Sequence, residues 1–263
     1  MGTEGDLNMK IRFESFSATG MVRKNNEDNL HLDATKGVFA VADGMGGGAE
    51  GEKASAMVCE ALGAAAREAH STGLDEMRVL SNKPFSKHIE AVGAAIEKAN
   101  HEIFEYADKH GFKQMGSTIA LVMFEGGDSK RAAICHIGDS RVYRIGDGDA
   151  ELLTHDHTVG AELEKALNGD SGFAQRTNPL AHVLTRAIGT GREVKCEWRE
   201  IDVKFEDVYL ICSDGVHDVI GYEDLAEILK HPDLKESAKE LSDRILERGA
   251  PDNYSFIILK AEA

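Results

Sequence analysis

Apolar residues occur along nearly the whole chain in short runs, some with strand spacing and some with helix spacing. The segment from Lys10 to Gly20 alternates loosely between apolar and polar residues, which is typical of a strand. Val38 to Ala42 is a continuous apolar run that stops at Asp43-Gly44, as a buried strand does when it reaches a turn. The first 45 residues therefore predict two strands.

Two amphipathic helices are predicted next, because apolar residues recur at helical spacing from Glu52 onward and again after Pro84. The first apolar face comprises Ala54, Met57, Val58, Ala61, Leu62 and Ala65, and the second comprises Ile89, Val92, Ile96, Ala99 and Ile103. Since each helix has only one apolar stripe, both are expected to cover a sheet.

The pattern changes back to strands in the middle of the chain, where short segments are rich in β-branched and aromatic residues. These predicted strands are Ser117 to Phe124, Arg131 to Ile137 and Arg141 to Ile145, with turns at Gly126-Gly127-Asp128 and Gly138-Asp139. Residues 155–190 indicate only a short helix and irregular chain. A further strand is predicted from Val208 to Cys212, and it ends in Ser213-Asp214-Gly215. Two helices follow, and the second has Leu234, Ala238, Leu241 and Ile245 in phase. The last predicted strand runs from Ser255 to Leu259.

This order of elements groups strands with strands and helices with helices, which differs from regular βαβ alternation. It favours an α+β protein in which an antiparallel β-sandwich of two sheets is flanked by helix pairs. We find no internal repeat and no Pro-rich linker, so residues 10–263 are predicted to form a single domain. Residues 1–9 are predicted to be a disordered lead-in rather than a secretory signal, because Glu4 and Asp6 interrupt them.

The negative net charge of the chain argues against nucleic acid and anionic membranes as binding partners. Thirty basic residues against 46 acidic ones give a formal net charge of −16, and no basic run is present to attract nucleic acid or an anionic membrane. No stretch approaches the roughly 18 apolar residues of a membrane span. The four cysteines show no CxxC spacing, which favours a reduced, cytoplasmic protein.

Four carboxylates share one position, at the junction of an apolar strand and a loop. Asp43 follows VFAVA, Asp139 follows AAICHIG, Asp214 follows VYLICS, and Asp252 precedes NYSFIIL. Any one of them is a common turn residue. Four such carboxylates that converge would repel one another and need a cation, and an all-oxygen site suits Mg²⁺ or Mn²⁺.

Arg23 is a candidate for binding a phosphate group beside these cations, and Glu27 and Asp28 follow it closely in the sequence. A guanidinium near metal ions binds phosphate in bidentate fashion, which lysine does not. Taken alone, the segment VRKNNEDN is explained better as a polar loop after the first strand.

The motifs of the chain, read in order, resemble those of a known family. TGMVRKNNEDN, VFAVADGMGGGAEGEKAS, MGSTIALV, HIGDSRVYRI, LTHDHT, HVLTRAIG, LICSDGV and PDNYSFIIL match the order found in PPM-family (type 2C) serine/threonine protein phosphatases. The resemblance covers about residues 11–259, and the DGMGG motif resembles the form found in bacterial members of the family. It implies the PPM fold, with two antiparallel sheets flanked by helix pairs, and a flap at about residues 155–190.

The resemblance also implies a site with two Mn²⁺ or Mg²⁺ ions. Asp43 would bridge the two ions. Asp214 and Asp252 would complete the ligands of one ion, while Glu27 and the backbone carbonyl of Gly44 would bind the other.

The remaining site residues follow from the same resemblance. Asp28 would hold a metal-bound water, Arg23 would bind the substrate phosphate and Asn253 would support the site by hydrogen bonding. Asp139, with Asp214, matches the position of a third, weaker metal.

The implied reaction is hydrolysis of phosphoserine and phosphothreonine on proteins, which would be targets of a serine/threonine kinase, by a monomeric enzyme. A water between two cations loses its proton near neutral pH and attacks phosphorus in line, without a phosphoenzyme. Some family members carry a histidine directly after the DG pair as a general acid. Here that position is Met45, which has no proton to donate, so the donor to the leaving group is unassigned.

Two alternatives compete with this interpretation. Gly46-x-Gly48-x-x-Gly51 superficially matches a dinucleotide-binding loop, but no second strand with a terminal acidic residue follows about 20 residues later. The other alternative is a pseudophosphatase that binds phosphoproteins without hydrolysing them. The presence of the expected residue type at every metal-ligand position argues against it.

Overall fold

The computed structural model describes residues 9–68, 85–126, 129–146, 149–167 and 180–262. Its strands are β1 (Lys10–Ala18), β2 (Asp28–Asp33), β3 (Val38–Met45), β4 (Gly116–Ser117), β5 (Ile119–Phe124), β6 (Arg131–Ile137), β7 (Arg141–Gly146), β8 (Asp149–Leu152), β9 (Glu197–Asp202), β10 (Val208–Cys212) and β11 (Tyr254–Glu262). Its helices are α1 (Ala49–Glu68), α2 (Phe85–His110), α3 (Val159–Ala166), α4 (Asp214–His217), α5 (Tyr222–Ile228) and α6 (Leu234–Glu247). Residues 1–8 of the predicted lead-in and Gly127-Asp128 of one predicted turn lie outside the described residues.

The strands form two sheets in which all the pairings are antiparallel. One sheet has the order β1-β11-β10-β7-β8, and the other has the order β2-β3-β5-β6-β9 with β4 paired to β3. Apolar side chains from both sheets, among them Phe39, Tyr209 and Ile257, form a buried cluster between them. The predicted β-sandwich is therefore confirmed.

Helices cover the two outer faces of the sandwich. The apolar stripes of α1 and α2 pack on the β2-β3-β5-β6-β9 sheet, where Val58, Ile96 and Ile103 are buried. On the other face, α5 and α6 contribute Leu225 and Leu241 to a second outer cluster. The predicted flanking by helix pairs is confirmed, and no described helix has the length and apolar character needed to span a bilayer.

Several predicted boundaries were wrong for identifiable reasons. Asp43 does not end its strand, because Gly44 and Met45 continue β3 by pairing with β4. Residues 214–217 form the extra helix α4, which is too short to show periodicity. Strands β2, β8 and β9 were not predicted, since their polar residues produce little apolar signal.

The dinucleotide alternative does not fit this topology. After β3 the chain enters α1 and α2 and then returns antiparallel to β3 as β5, whereas a dinucleotide-binding loop requires a parallel βαβ unit.

Candidate metal centre

The pairing of β2 with β3 forms the base of the site. Asp28 and Asp43 lie directly opposite each other in this pair, which brings two carboxylates together in the interior. Ser213 donates a hydrogen bond to Asp28 Oδ2 at 2.8 Å, while Asp28 Oδ1 is buried with no hydrogen-bond partner. A buried carboxylate oxygen without a partner is costly unless another group satisfies it.

Thr118 fixes the backbone around Asp43. Its hydroxyl accepts from the Asp43 amide at 3.0 Å, and its own amide donates to the Asp43 carbonyl at 2.8 Å. The Thr118 hydroxyl also bonds to Ser140 Oγ at 2.7 Å, which links β3 to the turn that carries Asp139. The backbone of Asp43 is thus held by the residue between β4 and β5, which also contacts the turn between β6 and β7.

The tertiary fold brings the predicted carboxylates into one cleft of about 270 Å³. Its lining includes Glu27, Asp43, Asp139, Asp214 and Asp252. The cleft is therefore lined by oxygen ligands of the kind that bind Mg²⁺ or Mn²⁺.

These carboxylates have perturbed proton affinities. Burial raises the pKa of Asp28 to about 7 and, reinforced by the charge of Asp214, raises that of Asp139 to about 7 as well. Burial and then the charges of Asp28 and Asp214 hold the pKa of Asp43 well above its ordinary range. Burial also raises the pKa of Asp214. Without cations, this cluster favours bound protons over negative charge.

Glycines allow the loop after β3 to approach Glu27 closely. A Cβ on Gly44 would lie 2.0 Å from the Gly51 carbonyl oxygen, and one on Gly51 would lie 1.8 Å from Glu27 Oε2. The Gly48 amide donates to Glu27 Oε1 at 2.7 Å, and the Gly44 amide donates to the Glu27 carbonyl at 3.1 Å. The glycines that superficially suggest a nucleotide loop therefore position Glu27.

Arg23 lies at the rim of the cleft, where its guanidinium donates to Asp252 Oδ2 at 2.6 Å. Asn253 connects the neighbouring segments: its side chain accepts from the Glu27 amide at 2.9 Å and donates to the carbonyls of Thr19 and Asn25 at 2.9 and 2.8 Å.

Every residue that the sequence predicted for the site is thus in the cleft or directly beside it. Lining residues that received no role from the sequence include Thr118, His182 and Leu184. They lie in MGSTIALV and HVLTRAIG, so the motifs marked these segments as relevant, but only the fold shows which side chains reach the cleft. Met45 also lines it.

A second group of potential ligands, His136, His157 and Glu197, lies outside this cleft. Its hydrogen bonds indicate a structural role, because His136 Nε2 contacts the His155 carbonyl at 2.6 Å and His157 Nδ1 accepts from the Gly138 amide at 3.1 Å. The Arg186 guanidinium pairs with Glu197 and lies 3.4 Å from His157 Nε2, where it would repel a cation.

Comparison with known proteins identifies the family. A family model described as Protein phosphatase 2C matches residues 22–252, which is most of the chain. The chain belongs to the protein phosphatase 2C family. Over 255 residues it is 32% identical to the serine/threonine protein phosphatase PstP of Mycobacterium tuberculosis. The matched region covers 96% of this chain and 45% of PstP. It is also 31% identical over 248 residues to a putative 2C-type phosphatase of Streptococcus pyogenes, covering 93% of this chain and 95% of that protein.

Solved structures of the 2C family share the fold. The PstP catalytic domain in complex with two manganese ions superposes with a TM-score of 0.78 at 31% identity, covering 97% of this chain and all of that one. PppA of Pseudomonas aeruginosa superposes with a TM-score of 0.79 at 29% identity, with the same coverage. The chain spans about half of the length of full PstP, so it corresponds to the catalytic part of that relative.

Proposed function

We propose that the chain is a metal-dependent serine/threonine protein phosphatase that hydrolyses its substrates with water and forms no phosphoenzyme. One observation carries the proposal: five carboxylates and an arginine line one cleft of a 2C-family chain. Arg23 in the lining of this cleft suits a phosphorylated protein segment as substrate, and residues 10–263 act as a single catalytic domain. We also infer a monomer located in the cytoplasm.

The residues fit a pair of divalent cations. The unpartnered Asp28 Oδ1 and the raised pKa values of Asp28 and Asp139 are those of carboxylates that lack their counter-charge. In this assignment Asp43 would contribute to holding both Mn²⁺ or Mg²⁺ ions, Asp214 and Asp252 would help to hold one of them, and Glu27 and the Gly44 carbonyl would help to hold the other.

The remaining assignments concern the outer part of the site. Asp28 would hold a metal-bound water, and Asp139 with Asp214 would hold a weaker third ion. When bound, the cations lower the pKa of a water molecule and neutralise charge on the phosphoryl oxygens.

The protein itself contributes orientation and charge. Arg23 is exposed at the rim, so its guanidinium reaches an incoming phosphate and donates two parallel hydrogen bonds to it. Asn253 keeps the segments before Glu27 and after Asp252 at a fixed separation. Because Thr118 and Ser140 hold Asp43 and the Asp139 turn together, the carboxylates are preorganised before substrate arrives.

The test is turnover of p-nitrophenyl phosphate and of a phosphothreonine peptide, with and without Mn²⁺. We expect Mn²⁺-dependent turnover of both substrates, and its loss together with calorimetric Mn²⁺ binding in Asp214→Asn. Asp243→Asn is the matched control, because Asp243 lies on the exposed face of α6. Metal-independent turnover, or phosphopeptide binding without hydrolysis as in a pseudophosphatase, would refute the proposal.

A further inference from the structure

The cleft offers few groups that can protonate the leaving oxygen of the substrate. Arg23 is permanently charged, Met45 has no exchangeable proton, and the carboxylates are assigned to cations. The Thr118 hydroxyl is engaged with the Asp43 amide and with Ser140. Among the described lining residues this leaves His182, whose side chain type ordinarily exchanges a proton between pH 5 and 8.

The backbone on both sides of His182 is fixed to the first turn of α3. The Gly160 amide donates to the Ala181 carbonyl and the Val159 amide to the Val183 carbonyl, both at 2.9 Å. Ala181 is buried against Gly160, whereas His182 between these anchors is exposed. The imidazole is therefore presented to the cleft from a defined backbone position.

The same segment is connected to the turn that carries Asp139. Leu184 forms an isolated bridge with Thr158, the Thr185 amide donates to the His157 carbonyl, and the His157 amide donates to the Gly138 carbonyl. The chain of hydrogen bonds runs from the flap to the residue next to Asp139. Movement of His182 relative to the carboxylates is thereby restricted.

We propose that His182 is the general acid that protonates the leaving oxygen, the role left open by Met45. Water oxygen forms the new bond to phosphorus as the bond from phosphorus to the serine or threonine oxygen breaks, with its electron pair going to that oxygen. The His182 imidazolium transfers one proton to this oxygen and becomes neutral. The attacking water releases one proton to solvent and His182 regains one, so the products are the alcohol and hydrogen phosphate.

This inference rests on the proposed phosphatase function, and its test depends on the leaving group. p-Nitrophenolate leaves without protonation, whereas phenolate and the threonine alkoxide need a proton. A positioned general acid contributes about 10²–10⁴-fold to rate, so His182→Gln should lower kcat for phenyl phosphate and a phosphothreonine peptide by about 100-fold and leave p-nitrophenyl phosphate nearly unchanged. His155→Gln is the matched control, because His155 is an exposed histidine of the same flap that lines a different cleft.

Two further measurements separate the possible failures. Mn²⁺ affinity measured by calorimetry and the melting temperature should be the same in His182→Gln and wild type. If His182→Gln slows all substrates equally, or slows none, the general-acid role is refuted while the phosphatase function stands. If the wild-type chain shows no Mn²⁺-dependent turnover of p-nitrophenyl phosphate, the phosphatase function itself is refuted.

Discussion

Removal of the cations should make the stability of this protein fall as the pH rises through neutrality. In the folded state the pKa of Asp28 and that of Asp139 are each raised from 3.8 to about 7, mainly by burial. A carboxyl whose folded pKa is raised stabilises the fold fully below its unfolded pKa. That contribution is lost as pH rises through the folded pKa, because the unfolded chain ionises more easily.

The size of the effect follows from the shift. Each tenfold change in proton affinity is worth about 1.4 kcal/mol, so a rise from 3.8 to about 7 corresponds to on the order of 4 kcal/mol for one carboxyl. The contributions of Asp28 and Asp139 are not additive, since both interact with Asp214 and protonation of one relieves the other. For a domain of this size a loss of 4 kcal/mol lowers the melting temperature by on the order of 10 °C.

The assay is thermal unfolding followed by circular dichroism between pH 5.5 and 8.5, in EDTA and in saturating Mn²⁺. We expect the melting temperature in EDTA to fall between pH 5.5 and a little above 7 and then to level off, with about half of the total loss inside this window because the rest occurs below pH 5.5. The Mn²⁺-loaded protein should lack that fall because cations compensate the ionised carboxylates. Asp28→Asn should flatten the slope in EDTA, since it removes one titrating group. A melting temperature in EDTA that stays constant or rises from pH 6 to 8.5 would refute the argument.

Three further predictions concern single side chains near the site. Arg141→Met should destabilise the fold by about 3–5 kcal/mol in urea unfolding, because it leaves the buried Asp156 carboxylate without its bidentate partner. The control Arg12→Met removes an exposed pair with Glu262 and should cost less than about 1 kcal/mol. Asn253→Ala should weaken calorimetric Mn²⁺ binding by about 10–100-fold without abolishing folding, and unchanged affinity would contradict its supporting role. Gly138→Ala should lower the melting temperature and Mn²⁺ affinity, because φ is +102° and the new Cβ would lie 2.6 Å from Thr118 Cγ2; Gly126→Ala, with open space around it, is the control.

The sequence alone determined the elements that have a strong local apolar pattern. Strands β3, β5, β6, β10 and β11 and helices α1, α2 and α6 are each recognisable, because one face or both faces are buried and the apolar residues repeat accordingly. The order of the motifs also indicated the family, and the metal site of that family implied that the carboxylates lie together. Strands β8 and β9 were missed because exposed polar residues interrupt their apolar pattern.

The tertiary structure decided which of these residues meet. The register of β2 with β3 places Asp28 opposite Asp43, and a shift of one residue would turn Asp28 to the other face of the sheet. The hydrogen bonds of Ala181 and Val183 with the first turn of α3 hold His182 at the cleft, although no periodicity in residues 155–190 indicates that contact. Long-range pairing depends on the packing of distant segments, and local patterns of apolar and polar residues contain no direct record of it.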